Sequence, residues 1–146
     1  MKKTFTYDGK VCVLEFTDKH EMSSRLEEYA TMYEGPVKNR VGYNFILSSK
    51  QKLKEINTEQ AVYLIAYIKG DIATKKHELQ HAKYYVSVEW RNTIDKIWDS
   101  LSSVEQKKVT NFLYKLGYPS DVHRDEFGAY WSSEQNPRRF FNISVH

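Results

Sequence analysis

Cysteine is almost missing from this 146-residue chain. Cys12 stands alone, so no intramolecular disulfide can form and an oxidising compartment is not implied. No stretch approaches the roughly 20 apolar residues that a membrane-spanning helix needs. Met1-Lys2-Lys3 carries the charge of a signal-peptide head, but Thr4-Phe5-Thr6-Tyr7-Asp8-Gly9 interrupts any apolar segment behind it. A cytoplasmic location without a membrane partner is therefore expected. An excess of one charge is lacking too. Cutting at Gly70 leaves 11 Lys/Arg against 9 Asp/Glu before it, and 11 (22 − 11) against 10 (19 − 9) after it. The net charge of +3 gathers into no basic block, so nucleic acid is not an expected partner. Repeats, low-complexity tracts and linkers are absent as well, and one domain over residues 1–146 is expected.

What the chain does contain is the makings of a core. Hydrophobic residues are 40% of it and charged residues 28%, a balance that folds rather than stays disordered. Eleven tyrosines add apolar area together with hydroxyls for a polar site.

Periodicity predicts an α+β arrangement. Asp8-Gly9 reads as a turn between strands at 3–7 and 10–17. Asp18/Glu21 or Ser24/Glu27 have capping-box spacing for a helix bearing Leu26, Tyr29, Ala30 and Tyr33, which Gly35-Pro36 would end. Tyr43 to Leu47 and Ala61 to Ile68 read as further strands. The second is almost continuously apolar, hence well buried. Helices follow. Residues 72–86 put Leu79, Ala82 and Val86 on one stripe, and residues 91–100 group Ile94, Ile97 and Trp98. Ser102 and Glu105 cap a helix presenting Val109, Phe112, Leu113 and Leu116. Gly117 and Pro119 end that helix, and Ser120 or Asp121 starts a last one running to about Trp131.

The segment His77-Glu78-Leu79-Gln80-His81 is an HExxH sequence. On a helix, side chains four apart lie one above the other, so both imidazoles can meet one ion. Glu78 sits about 100° round from His77, within reach of a water on that ion. Zinc there lowers the water's pKa and polarises a peptide carbonyl, while the glutamate moves the proton. The blander reading is a solvated helix whose histidines and glutamate face water.

Catalytic zinc usually has three protein ligands. Glu126, on the last expected helix, is the leading third ligand, and small Gly128 and Ala129 would let its helix approach the HExxH helix. Forty-four residues (126 − 81 − 1) separate it from His81, enough for two intervening helices. His123, one turn earlier, and Asp125 are the rivals. A donor for the tetrahedral oxyanion is also needed. Tyr130 is the first candidate, with Tyr84 and His123 next.

A helical HExxH followed by a later helical glutamate, with a small residue three positions on, resembles the gluzincin branch of the zincin metallopeptidases. In its short single-domain form it is similar to the minigluzincins. The resemblance covers about residues 61–131. It implies a zincin-like fold, with a small mixed sheet, an active-site helix and a glutamate helix. It also implies zinc ligands His77, His81 and Glu126, with Glu78 as base. The thermolysin pattern has Asn before the ligand glutamate and Asp four residues after it; this chain has Asp125 and Tyr130 there.

The expected function is thus that of a zinc-dependent metalloprotease, a peptide-bond hydrolase acting on a protein or peptide. Residues 61–68 are the candidate strand for pairing with an extended substrate; should that strand be central, the role moves elsewhere. Two other readings stand beside it. One is a non-catalytic zinc-containing interaction module of phage or mobile-element type. The other is a SprT-like, nucleic-acid-associated protease with His123 as ligand. Cys12 fits a buried structural thiol better than a zinc-blocking one. The basic, aromatic segment Pro137-Arg138-Arg139-Phe140-Phe141 is either an anchored tail or terminal strand, or an inhibitory flap of the kind the resemblance suggests.

Overall fold

The computed structural model describes residues 1–34, 40–47, 53 and 55–143. Gly35-Pro36, the expected helix stop, and His146 lie outside them. The chain divides into two compact units, Met1–Ala82 and Lys83–His146.

The first unit is built on a four-stranded mixed sheet. Strand β1 (Lys2–Thr6) and strand β2 (Val11–Phe16) form the expected hairpin. Its turn places Tyr7, Asp8 and Gly9 at positive φ, with Lys10 N–H bonded to the Tyr7 carbonyl at 3.1 Å. Helix α1 (Lys19–Glu34) follows, and strands β3 (Tyr43–Ile46) and β4 (Tyr63–Ile68) complete the sheet in the order β1-β2-β4-β3. Of the two possible caps the chain uses Asp18, whose carboxylate accepts the His20 N–H at 2.8 Å. β2 runs parallel to β4, and β3 is antiparallel to it.

β4 therefore lies between two neighbours, which corrects the expectation that it might offer a free edge to substrate. Its continuous apolar run has the same cause, since an inner strand is covered on both faces. One face carries Cys12, Leu14, Phe16, Phe45, Leu64 and Ala66 against Met22, Leu26 and Ala30 of α1. Those three helix positions, four residues apart, make a single stripe. Cys12 is fully buried in this core, and burial pushes its thiol up to about 11. It is the inert structural cysteine expected.

On the opposite face, Asn44, Ile65 and Val13 are cross-strand neighbours. Helix α2 (Ile72–Val86) meets this face at Asn44, whose amide donates to Glu78, and its start is capped by Asp71, which accepts from both the Thr74 N–H and hydroxyl. The division between the units falls within α2, after Ala82. Its buried residues are Glu78, His81 and Ala82; of the expected stripe Ala82 is buried, while Leu79 and Val86 are only half-buried. The apolar stripe misleads because α2 meets β3 through polar and small groups. A Cβ on Gly42 would fall 2.5 Å from Thr74 Cγ2, 3.1 Å from Glu78 Cγ and 3.2 Å from the Ala66 carbonyl.

The second unit is helical. Helix α3 (Val88–Ser100) starts three residues before its expected position because the Ser87 hydroxyl caps it, accepting the Trp90 N–H. Helix α4 (Ser103–Lys115) has the expected capping box between Ser102 and Glu105. Its end is a Schellman motif around Gly117 (φ +98°), with Tyr118 N–H on Leu113 O and Gly117 N–H on Tyr114 O. Leu116, expected on the core face, is half exposed. It occupies the helix C-cap, where the chain already turns away.

A short 3₁₀ turn, Ser120–Val122, precedes helix α5 (His123–Ser133) and takes up the residues expected to begin it. Helix α6 (Pro137–Phe140) replaces the alternative of a terminal strand. Its Arg138 pairs with Glu105 at 2.7 Å, and Phe141 and Ile143 are buried with Ile94, Leu101, Val109, Leu113 and Phe127. Burying Phe141 alone stabilises by about 1.5–3 kcal/mol. The tail is anchored.

The close approach of β3 to α2 gives a test. Gly42→Ala is expected to cost about 1–3 kcal/mol by overpacking, read as a lower urea midpoint. Thr74→Ser in that background, which removes the clashing methyl but keeps the hydroxyl bonded to Asp71, should restore part of the loss.

Candidate metal centre

α2 is an unbroken helix through the HExxH segment, and its geometry does what the spacing requires. His77 and His81 stack one turn apart, with ring centroids 4.9 Å apart and planes at 79°. Their Nε2 atoms face each other at 3.3 Å. His81 is buried and His77 half-buried. Burial first, and the neighbouring His81 second, push the His77 imidazole down to about 3. A neutral ring keeps a lone pair for an ion where a protonated one would repel it.

Glu78 points away from solvent toward the sheet. It is only 7% exposed, and one carboxylate oxygen, Oε2, accepts a 2.7 Å hydrogen bond from Asn44 Nδ2 on β3. Asn44 Oδ1 in turn accepts from the Tyr63 hydroxyl on β4 at 2.6 Å. Neither residue was a candidate from the sequence. The available signal was an asparagine inside a β-rich run, at a position where strands disfavour it and a buried amide needs partners.

The other candidates all belong to the second unit. Glu126 is buried in the first turn of α5. Gly128 is small for a different reason from the one expected: a Cβ there would meet Ile94 of α3 at 3.0 Å. His123 Nε2 donates to the Tyr118 carbonyl at 2.8 Å, and the ring packs edge-on against Tyr114. Because a carbonyl only accepts, that nitrogen carries the proton. Asp125 is half-exposed at the same helix start. Tyr130 stacks on Phe140 with centroids 4.8 Å apart, and its hydroxyl lies 3.2 Å from that of Tyr118. Tyr84 packs against the aromatic cluster of this unit, and burial raises its phenol.

The state of His77 has a measurable consequence. In metal-free protein its imidazole should stay neutral down to about pH 3, visible in nitrogen chemical shifts. Between that value and the ordinary 6.5, the unfolded chain binds a proton that the folded chain refuses. Stability should thus fall as pH drops from 6.5 toward 3 and rise again in the reverse direction. His77→Gln should flatten that part of the pH–stability curve.

Comparison of the chain with protein-family models, with curated proteins and with solved structures finds no match.

Proposed function

We propose that this chain is a zinc-dependent peptide-bond hydrolase, with His77, His81 and Glu126 as ligands and Glu78 as general base. The observation that carries it is the separation of the two imidazole Nε2 atoms, 3.3 Å. Two nitrogens on one tetrahedral zinc, each about 2.0–2.1 Å from it, stand about 3.3–3.4 Å apart. Glu126, the third ligand that the resemblance implies, is a buried carboxyl in the first turn of α5, a setting that calls for a cationic or donor partner. Two imidazoles and a carboxylate would make the donor set of a catalytic zinc site, three ligands with a fourth position left for water. This supports the likeness to gluzincins and a zincin-like reading of the fold.

A zinc ion held there supplies Lewis-acid activation of a water and a peptide carbonyl. Glu78 takes the proton of the attacking water as its oxygen bonds to the carbonyl carbon. The same carboxyl then gives that proton to the amine nitrogen as the C–N bond breaks. Strand β3, at the end of the sheet order, takes over the substrate-pairing role that β4 cannot fill, because its Asn44 already touches the base. Tyr130 remains our candidate for the oxyanion donor.

Purified protein should contain close to one zinc per chain by elemental analysis, and His77→Ala should lose it. A wild type free of zinc after metal-replete expression would sink the proposal. Glu78→Gln should keep the metal and lose roughly 10²–10⁴-fold in peptide hydrolysis. Retained activity in that variant, or retained zinc with no hydrolysis by the wild type, would favour a non-catalytic zinc module.

A further inference from the structure

We infer that Asn44, itself fixed by Tyr63, is a positioning residue for Glu78. The inference rests on the hydrolase reading only for its catalytic consequence; the orienting contact stands on the geometry of the first unit.

A glutamate on a helix has three side-chain torsions to settle before its carboxylate is aimed. Here one carboxylate oxygen is tied at 2.7 Å to an amide on a neighbouring strand. That amide is orientable both ways in principle, since its oxygen and nitrogen differ little in size. Tyr63 removes the ambiguity. Its hydroxyl donates to Asn44 Oδ1 at 2.6 Å, which turns the NH₂ toward Glu78. The supports are themselves rigid. Tyr63 is buried on the central strand, and Asn44 sits on β3 directly across from Ile65 of that strand. The absence of a side chain at Gly42, two residues before Asn44, lets β3 come close enough to α2 for the amide to span the gap.

Sequence distance hides the arrangement. Tyr63, Asn44 and Glu78 come from three elements that only the sheet brings together. Their contribution is orientation: with the carboxylate held, the base begins each cycle aimed, and losing the aim should slow the chemical step without changing substrate binding.

The test uses full-length, zinc-loaded protein and a metal-free control, with Asn44→Ala, Tyr63→Phe and Glu78→Gln. In metal-free protein the ¹⁵N side-chain amide signal of Asn44 should shift in both Tyr63→Phe and Glu78→Gln while the backbone spectrum stays folded. An amide signal that ignores both changes overturns the orienting contact, whatever the activity. In zinc-loaded protein acting on a quenched-fluorescence peptide library, Asn44→Ala should lose roughly ten- to a hundred-fold in kcat, at unchanged zinc content and KM. Tyr63→Phe should lose less. Asn44→Ala added to Glu78→Gln should cost nothing further, because the residue acts through the carboxylate. A loss that appears in KM or zinc content instead, or that adds fully to Glu78→Gln, assigns Asn44 a merely structural role and overturns the inference. A zinc-loaded wild type that cleaves nothing removes the hydrolase reading alone, since the amide signal still decides whether Asn44 holds Glu78.

Discussion

A carboxylate buried at the junction of a helix and a sheet is the constraint on which the first unit turns. Placing Glu78 out of water costs several kcal/mol unless its oxygens are met by donors. Everything around it answers that cost. Asn44 gives an N–H to Oε2, Tyr63 fixes Asn44, and Gly42 lets the strand close in. Asp71 pins the first turn of the helix by binding both the amide and the hydroxyl of Thr74.

The histidines follow from the same placement. With Glu78 turned to the sheet, helical geometry swings His77 and His81 to an adjoining face, where their Nε2 atoms stand 3.3 Å apart. Their partial burial keeps His77 in the form that can donate a lone pair. The proposed base and ligands thus share one short stretch of helix and are given different surroundings: the carboxylate is hydrogen-bonded to the sheet, while the two ring nitrogens face each other. The two proposed roles, base and ligand, need that division.

Much of the scaffold was legible because it rests on local chemistry. The Asp8-Gly9 turn, the Ser102/Glu105 capping box, the Gly117 stop and the apolar run of β4 each act over a few residues. Each reads the same way in the sequence and in the structure. HExxH belongs to this class, since a four-residue helical repeat suffices to bring two rings together. What could not be read depends on contacts distant in sequence. The stripe through Leu79 and Val86 promised an apolar face, yet α2 buries Glu78, which meets an asparagine on β3 and passes a glycine just before that strand. Gly128 likewise looked like an invitation to the HExxH helix and instead accommodates Ile94. Strand order was equally hidden: periodicity marks β4 as buried without naming its neighbours.

That strand order carries a consequence for assembly. Phe5 meets Cys12 across a span of 7 residues (12 − 5), and Asn44 meets Ile65 across 21 (65 − 44), whereas Val13 must find Ile65 across 52 (65 − 13). Closing the largest loop carries the greatest entropy penalty, so the two antiparallel ribbons are favoured to form early and their parallel junction late. The tyrosine–asparagine pair lies wholly inside the second ribbon. Loop entropy thus favours a scaffold for the glutamate that forms ahead of the parallel junction.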